Sequence, residues 1–383
     1  MRKREYDFWL LFTVIALTAI GIVMVFSASS YYAAFTVNNK YHYLIRQLLW
    51  SGVGLVLMFV VSNIDYRRLA LLSPILMLVS IVLLILVAIP GIGSVSNNAR
   101  RWFNLGFTTF QPSELMKLSL IMFLSFSLAK NHGRLRFFFS GLVPYLLIVG
   151  FVDFLLLLEP HYSCAILITA VAAVILFCAG ARLLHFFAIG GPALAAAAYL
   201  IYSSEYRWKR FVSFLDPFSD PQGAGYQVVN SLYAIASGSI FGRGLGKSLQ
   251  KYLYIPEPQN DFIFSIVAEE LGFVGAFTVI AFFLLLIWRG IRISMNAPDM
   301  MGSLMAIGLT SLIAIESIVN IAVVTATIPV TGMPLPFISY GGTSMLFHLV
   351  GMGILLNISR NNTYSLAPVK GAELLKRARQ GGG

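Results

Sequence analysis

The chain has 383 residues, of which 58% are hydrophobic and 11% charged, with a mean hydropathy of +0.81. Soluble domains carry about 25% charged residues, so the composition excludes a soluble globular protein and points to a bundle of membrane spans. The net charge of +11 is dispersed between apolar segments, with no basic stripe interleaved with aromatics, and nucleic acid is excluded as a partner.

Apolar stretches of spanning length fall near 8–28, 44–61, 70–89, 113–130, 144–158, 163–180, 184–202, 262–288, 301–323 and 343–358. The expected fold is an all-α polytopic membrane protein of about ten transmembrane helices. These form one domain over 1–360, followed by a tail at 361–383. The opening MRKR and the apolar Phe8 to Ala28 resemble a signal peptide. That stretch is long enough to span and further spans follow, so it reads as an uncleaved first helix. The fifth stretch ends at Glu159-Pro160, where the helix stops or breaks. Cys164 and Cys178 lie in one apolar run. On a helix they are about 21 Å apart, which no disulfide spans.

Basic residues orient the spans. With the N-terminus inside, the inner segments hold Arg2, Lys3, Arg4, Arg67, Arg68, Lys130, Arg134, Arg136, Arg182, Arg289, Arg292 and Arg360. The tail adds Lys370, Lys376, Arg377 and Arg379 on the same side. The short outer loops carry little beyond Lys40, Arg46, Arg100 and Arg101, and the loop at 324–342 has no Lys or Arg. Both termini are therefore expected in the cytoplasm, with one large extracytoplasmic loop at about 203–261. That loop is basic, but long loops translocate largely regardless of charge. It is longer than a connector needs and rich in aromatics, including Arg210 among RWKRF, and Tyr226 to Ser237 has helical spacing. No internal repeat is visible.

Three outer features can carry chemistry. Asp261 opens the span at 262–288, with Ser265, Ala268 and Glu269 on its face at helical spacing. It reads either as an N-cap or as a general base at the mouth of a cleft. In NNARRWFNLGFTTFQPSELMKL, Arg101 and Trp102 precede a span that Glu114 and Lys117 enter one turn apart. The last two read as a structural ion pair or, with the arginines, as groups meeting phosphate oxygens. In IPVTGMPLPFISYGGTS, Gly341 and Gly342 open a helix whose free N–H groups suit an anion, or they serve a packed turn. Together they suit a substrate with a diphosphate and hydroxyl groups, delivered from the membrane. No metal-ligand spacing and no GxSxG nucleophile motif is present.

The stretches YLYIPEPQNDFIFSIVAEELG, FLDPFSDPQGAGYQ, QPSELMKL and PLPFISYGGTS resemble the signatures of the SEDS family (FtsW, RodA and SpoVE). The likeness runs from the first expected span to the last. MVFSASS and PVTGMPLPFISYGGTS look more like the FtsW and SpoVE branches than RodA. The resemblance implies a peptidoglycan glycosyltransferase of the bacterial cytoplasmic membrane that polymerises lipid II on the outer side. It implies a class B penicillin-binding protein (a transpeptidase) and other divisome or elongasome proteins as partners. A divalent cation (Mg2+ or Mn2+) is expected beside the arginines as cofactor, to neutralise the departing diphosphate. The family's essential aspartate falls on Asp261. The expected substrate-binding set is Arg101, Trp102, Glu114, Lys117, Arg210, Glu257, Glu269, Ser339, Gly341 and Gly342.

This chain departs from the family pattern at EPHYSCA, where His161 and Ser163 replace the aspartate and glycine of P-D-x-G. It also departs at Asn260, where threonine is usual, and at Asn230, where glutamine is usual. A rival reading is a flippase for lipid-linked precursors, with Glu114, Lys117, Asp153, Glu269 and Glu316 along its path. A third is a non-catalytic scaffold.

Overall fold

A computed structural model describes residues 5–361, apart from 97–98, 107, 132, 134, 136, 183, 187–189, 192–194, 196–197, 200–201 and 224. The expected stretch 184–202 and the tail lie largely or wholly outside the described residues. Helices occupy the other nine expected stretches: α1 (Phe8–Val37), α2 (His42–Ser62), the short α3 (Tyr66–Leu71) followed by α4 (Ser73–Ala88), α5 (Pro112–Asn131), α6 (Val143–Leu158), α7 (Tyr162–Cys178), α10 (Ile263–Met295), α11 (Met300–Val324) and α12 (Gly342–Arg360). The long loop contributes α8 (Glu205–Leu215) and α9 (Tyr226–Gly238). Among the described residues seven helices are long and apolar enough to cross a membrane, and α4 and α7 are shorter apolar helices. Between α4 and α5 lies a small antiparallel sheet, β1 (Ser94–Ser96), β2 (Ala99–Asn104) and β3 (Thr109–Phe110), in the order β1-β2-β3.

Carboxylates cap α1, α3 and α11. Asp7 caps α1, accepting from Leu10 N at 3.0 Å, and it also receives the Arg289 guanidinium from the far end of α10. Asp299 caps α11 through Gly302 N at 2.7 Å and takes the Tyr66 hydroxyl at 2.7 Å and Arg67 at 2.7 Å. With Asp7 N donating to Ser359 Oγ at 3.3 Å, these contacts gather the start of α1, the α2–α3 turn, the α10–α11 turn and the end of α12 at one end of the bundle. Asp261, which precedes α10, is at the other. The first-turn N–H groups find acceptors in these carboxylates.

α12 packs along α2, and α11 lies between α10, α5 and α7, so one apolar core runs through the bundle. Outward faces carry exposed apolar side chains, such as Phe8, Trp9 and Phe12 on α1 or Leu147, Phe151 and Phe154 on α6. In water such faces would drive aggregation, whereas in lipid they are the proper solvent-facing surface.

Candidate functional site

α10 is not one continuous helix. Gly272 has φ 68° and ψ −166°, a conformation open to glycine, and it splits the helix after its first turns. A Cβ on Gly272 would lie 2.2 Å from the backbone nitrogen of Gly242. The break therefore admits the segment after α9 into backbone contact: Arg243 N and Gly244 N donate to the carbonyls of Glu269 and Glu270 at 2.9 and 3.0 Å. The two glutamates, both fully buried, complete the clamp. Glu269 accepts from the Ser248 hydroxyl and from Leu249 N at 2.8 Å. Glu270 accepts from Gly246 N at 2.9 Å, Lys251 Nζ at 2.9 Å and Ser27 Oγ of α1 at 2.6 Å. Buried carboxylates persist when so supplied with donors.

The Glu269 carboxylate, expected at the substrate, accepts here from the segment 248–250. The polar stripe on α10 is packed, not open. Ser265 pairs with Ser231 of α9 at 2.6 Å, and the Ala268 carbonyl fills the space where a Cβ on Gly238 would sit.

Asp261 stands one residue ahead of the α10 N-cap, which is Phe262 and makes no side-chain cap. Its backbone is held instead. Tyr340 N donates to Gln259 O at 2.9 Å, Ser339 Oγ to Asn260 O at 2.7 Å, and Asn320 Nδ2 to Asp261 O at 2.8 Å. Asn320 Nδ2 also reaches Met333 O at 2.7 Å. Three consecutive carbonyls are thus tied to α11 and to the α11–α12 loop. Gly332, at φ +73°, faces the carboxylate, and a Cβ there would lie 3.4 Å from Asp261 Oδ2. The side chain remains partly exposed.

Around it is a rim of polar and aromatic groups. Exposed Glu257 accepts from Asn260 Nδ2 at 2.7 Å and acts electrostatically on Tyr32 and Tyr43. Tyr43 meets Tyr340 edge-on at 4.9 Å, and Tyr32 approaches Tyr43 at 6.2 Å. Arg46, one turn on from Tyr43 and electrostatically coupled to it, has no ion-pair partner among the described residues.

The other expected residues divide. Ser339 is buried; its hydroxyl also accepts from Leu335 N at 2.8 Å, so it shapes backbone and is not presented to a ligand. Gly342 is required by packing, since a Cβ would lie 2.6 Å from Trp50 Nε1, and Gly341 is the extended N-cap of α12. Arg101 on β2 donates through Nε to Glu159 O at 3.2 Å and through Nη2 to Pro160 O, pinning the α6–α7 turn. Trp102 pairs with Ser94 in the hairpin, its carbonyl accepting from Ser94 Oγ at 2.9 Å. Lys117 is buried between Glu114, at 2.8 Å, and Glu316, at 2.6 Å. Arg210 falls on α8 with its side chain outside the described residues. Asp261 and Glu257 thus share one mouth with Arg46 and the tyrosines, while Arg101, Trp102, Glu114, Lys117 and Glu269 serve the frame.

The departure at EPHYSCA lies against this frame. Ser163 Oγ donates to Thr331 O at 2.5 Å, next to the glycine that faces Asp261. Glu159 is 1% exposed and neither of its carboxylate oxygens has a hydrogen-bond partner among the described residues. Burial pushes its carboxyl up to about 8, opposed by Arg101. Burial, then Arg101 and Lys117, push His161 down to about 3. Among the described residues no group of three or more His, Cys, Asp or Glu is arranged to hold a metal.

Sequence reasoning missed Asn320, Arg46 and the three tyrosines. Asn320 carried a signal, as an amide within an apolar stretch four residues from Glu316 and so on its face. The tyrosines carried none, because they converge only through folding.

The model of the cell cycle protein family of FtsW, RodA and SpoVE matches residues 8–364. The stage V sporulation protein E of Bacillus subtilis is 43% identical over 95% of this chain and 99% of its own length. A probable peptidoglycan glycosyltransferase FtsW of Trichlorobacter lovleyi is 44% identical over 97% of both chains. Among solved structures, one from a peptidoglycan synthase complex superposes with a TM-score of 0.77 at 33% identity, covering 94% of this chain and 99% of that one. The rod shape determining protein RodA of Thermus thermophilus superposes at 0.69 with 30% identity, covering 94% of this chain and 98% of that one. The chain belongs to the FtsW, RodA and SpoVE family of cell cycle proteins.

Proposed function

We propose that this protein is a peptidoglycan glycosyltransferase that polymerises lipid II on the outer face of the cytoplasmic membrane. The observation that carries the reading is the mouth around Asp261: a partly exposed carboxylate on a backbone fixed at three successive carbonyls. A general base must be held within hydrogen-bond reach of the proton it takes, and preorganised backbone supplies that. Asp261 accepts the proton of the acceptor sugar 4-hydroxyl as that oxygen attacks the donor anomeric carbon. The new glycosidic bond forms while the bond to the diphosphate oxygen breaks, and undecaprenyl diphosphate leaves. With one carboxylate and no covalent intermediate, the anomeric centre inverts. The tyrosine rim suits the faces of sugar rings, and Arg46 is placed to meet diphosphate charge.

A divalent cation would be held without a protein cage of its own, since no cluster of three ligating side chains stands among the described residues. Magnesium sites of this kind use one or two carboxylates and substrate phosphates. Such an ion, when bound, supplies charge neutralisation at the diphosphate. The basic residues gathered at the end opposite Asp261 support placing that end, and both termini, in the cytoplasm. The kinship with a chain of a peptidoglycan synthase complex supports a class B penicillin-binding protein as partner. Division, elongation and sporulation machineries would each offer one.

Purified protein in detergent, with no two-sided membrane, should convert labelled lipid II into long glycan that a muramidase digests. A flippase would leave the lipid II unpolymerised, and that outcome rejects the reading.

A further inference from the structure

Glu316 and His348 lie outside the mouth and have no part in the chemistry above, yet they are among the most buried polar residues, 1% and 4% exposed. They close a chain of contacts across three helices. Lys117 Nζ of α5 touches Glu114 and Glu316; the second oxygen of Glu316 on α11 is 2.6 Å from His348 Nε2 on α12; His348 Nδ1 is 3.4 Å from Ser344 Oγ. From outside the cluster, Cys164 of α7 and His161 before it act on Lys117 electrostatically. The small gaps beside Lys117 are walled mainly by aliphatic and aromatic side chains such as Leu124, Val171, Leu309 and Phe347.

The charges do not balance as written. Two carboxylates against one ammonium leave one negative charge in an apolar surrounding, where an uncompensated charge is costly. One more proton on the Glu316–His348 pair, whose facing atoms are 2.6 Å apart, restores neutrality. One turn further along α11 is Asn320, which holds the Asp261 carbonyl.

We propose that Glu316 and His348 share a proton that neutralises the Glu114–Lys117–Glu316 cluster, and that the neutral cluster is a positioning unit. It fixes α5, α11 and α12 against one another and so sets the height of Asn320 beneath Asp261. Its catalytic consequence rests on the glycosyltransferase reading; its charge balance does not.

The count makes an asymmetric prediction. Glu316→Gln leaves Glu114 and Lys117 as a neutral pair and His348 with a neutral neighbour, whereas His348→Met leaves the surplus negative charge in place. In detergent, the unfolding midpoint of Glu316→Gln should stay near that of the parent, and that of His348→Met should fall by several degrees. Adding Glu316→Gln to His348→Met should restore most of the loss. Lipid II polymerisation should follow the same order, with kcat lowered in His348→Met, KM unchanged, and kcat recovered in the double variant.

A double variant that falls further than His348→Met, or a Glu316→Gln that is the worse single variant, overturns the proposal. Should His348→Met not accumulate folded, Glu316→Gln and the double variant must both still fold, and failure of either counts against it. If the parent itself makes no glycan, the enzymatic reading fails while the unfolding cycle still decides the charge balance.

Discussion

At the scale of single residues, Ser339 and Asn320 act on the backbone around Asp261. Ser339→Ala would leave Leu335 N and Asn260 O without partners, a penalty of roughly 1–3 kcal/mol. It should lower kcat for lipid II polymerisation while KM holds, because the base moves and the rim does not. Equal loss in kcat/KM through KM alone would place Ser339 at the substrate instead. The α6–α7 turn gives a pH dependence whose sign can be worked out. Glu159 rises from 4.5 to about 8 on folding, so the native state keeps a proton that the unfolded chain loses, and stability falls as pH climbs between those values. His161 drops from 6.5 to about 3, so stability is lost as pH falls through that window. The two slopes cancel between 4.5 and 6.5 and leave a plateau there, with losses on both sides. Unfolding midpoints measured against pH should show it, and in Glu159→Gln the alkaline loss should vanish, with stability rising up to about pH 6.5 on the His161 slope alone and level above it. An unchanged alkaline limb in that variant would contradict the assignment.

At the scale of elements, the decisive feature is the break in α10. Gly272→Ala combines a left-handed backbone, worth ~1–2 kcal/mol against any residue with a Cβ, with an overlap on Gly242 N. It should abolish a folded, monodisperse product, and recovery of parent-like yield and midpoint would show that the loop does not dock there. Glu270→Gln should be milder but still destabilising, because Lys251 loses its buried counter-ion. The sequence made the helices legible, since long apolar runs in lipid leave few alternatives. It made Glu269 visible as an odd charge but not the loop that supplies its donors. An intramembrane carboxylate looks the same in sequence whether it meets a ligand or a loop that returns to it from twenty residues upstream. The same holds for Arg101 and Lys117, whose acceptors come from α6–α7 and α11. The hairpin β1–β3 gave no periodic signal because its strands are only three, six and two residues long.

At the scale of the molecule, one end gathers Arg67, Arg289 and Arg360 and the other the Asp261 mouth, and the membrane decides what each end can reach. In a Cys178→Ser background, with Cys164 buried, Glu257→Cys should react with an impermeant maleimide in intact cells. Arg68→Cys at the opposite end should react only after permeabilisation. The reverse pattern would put the mouth in the cytosol, where glycan polymerisation has no acceptor strand.

The most direct measurement is polymerisation of labelled lipid II by purified Asp261→Asn beside the parent protein, with the unfolding midpoint of each. The account predicts no glycan from the variant and an unfolding midpoint within a few degrees of the parent. Glycan of normal length and yield from Asp261→Asn would contradict it.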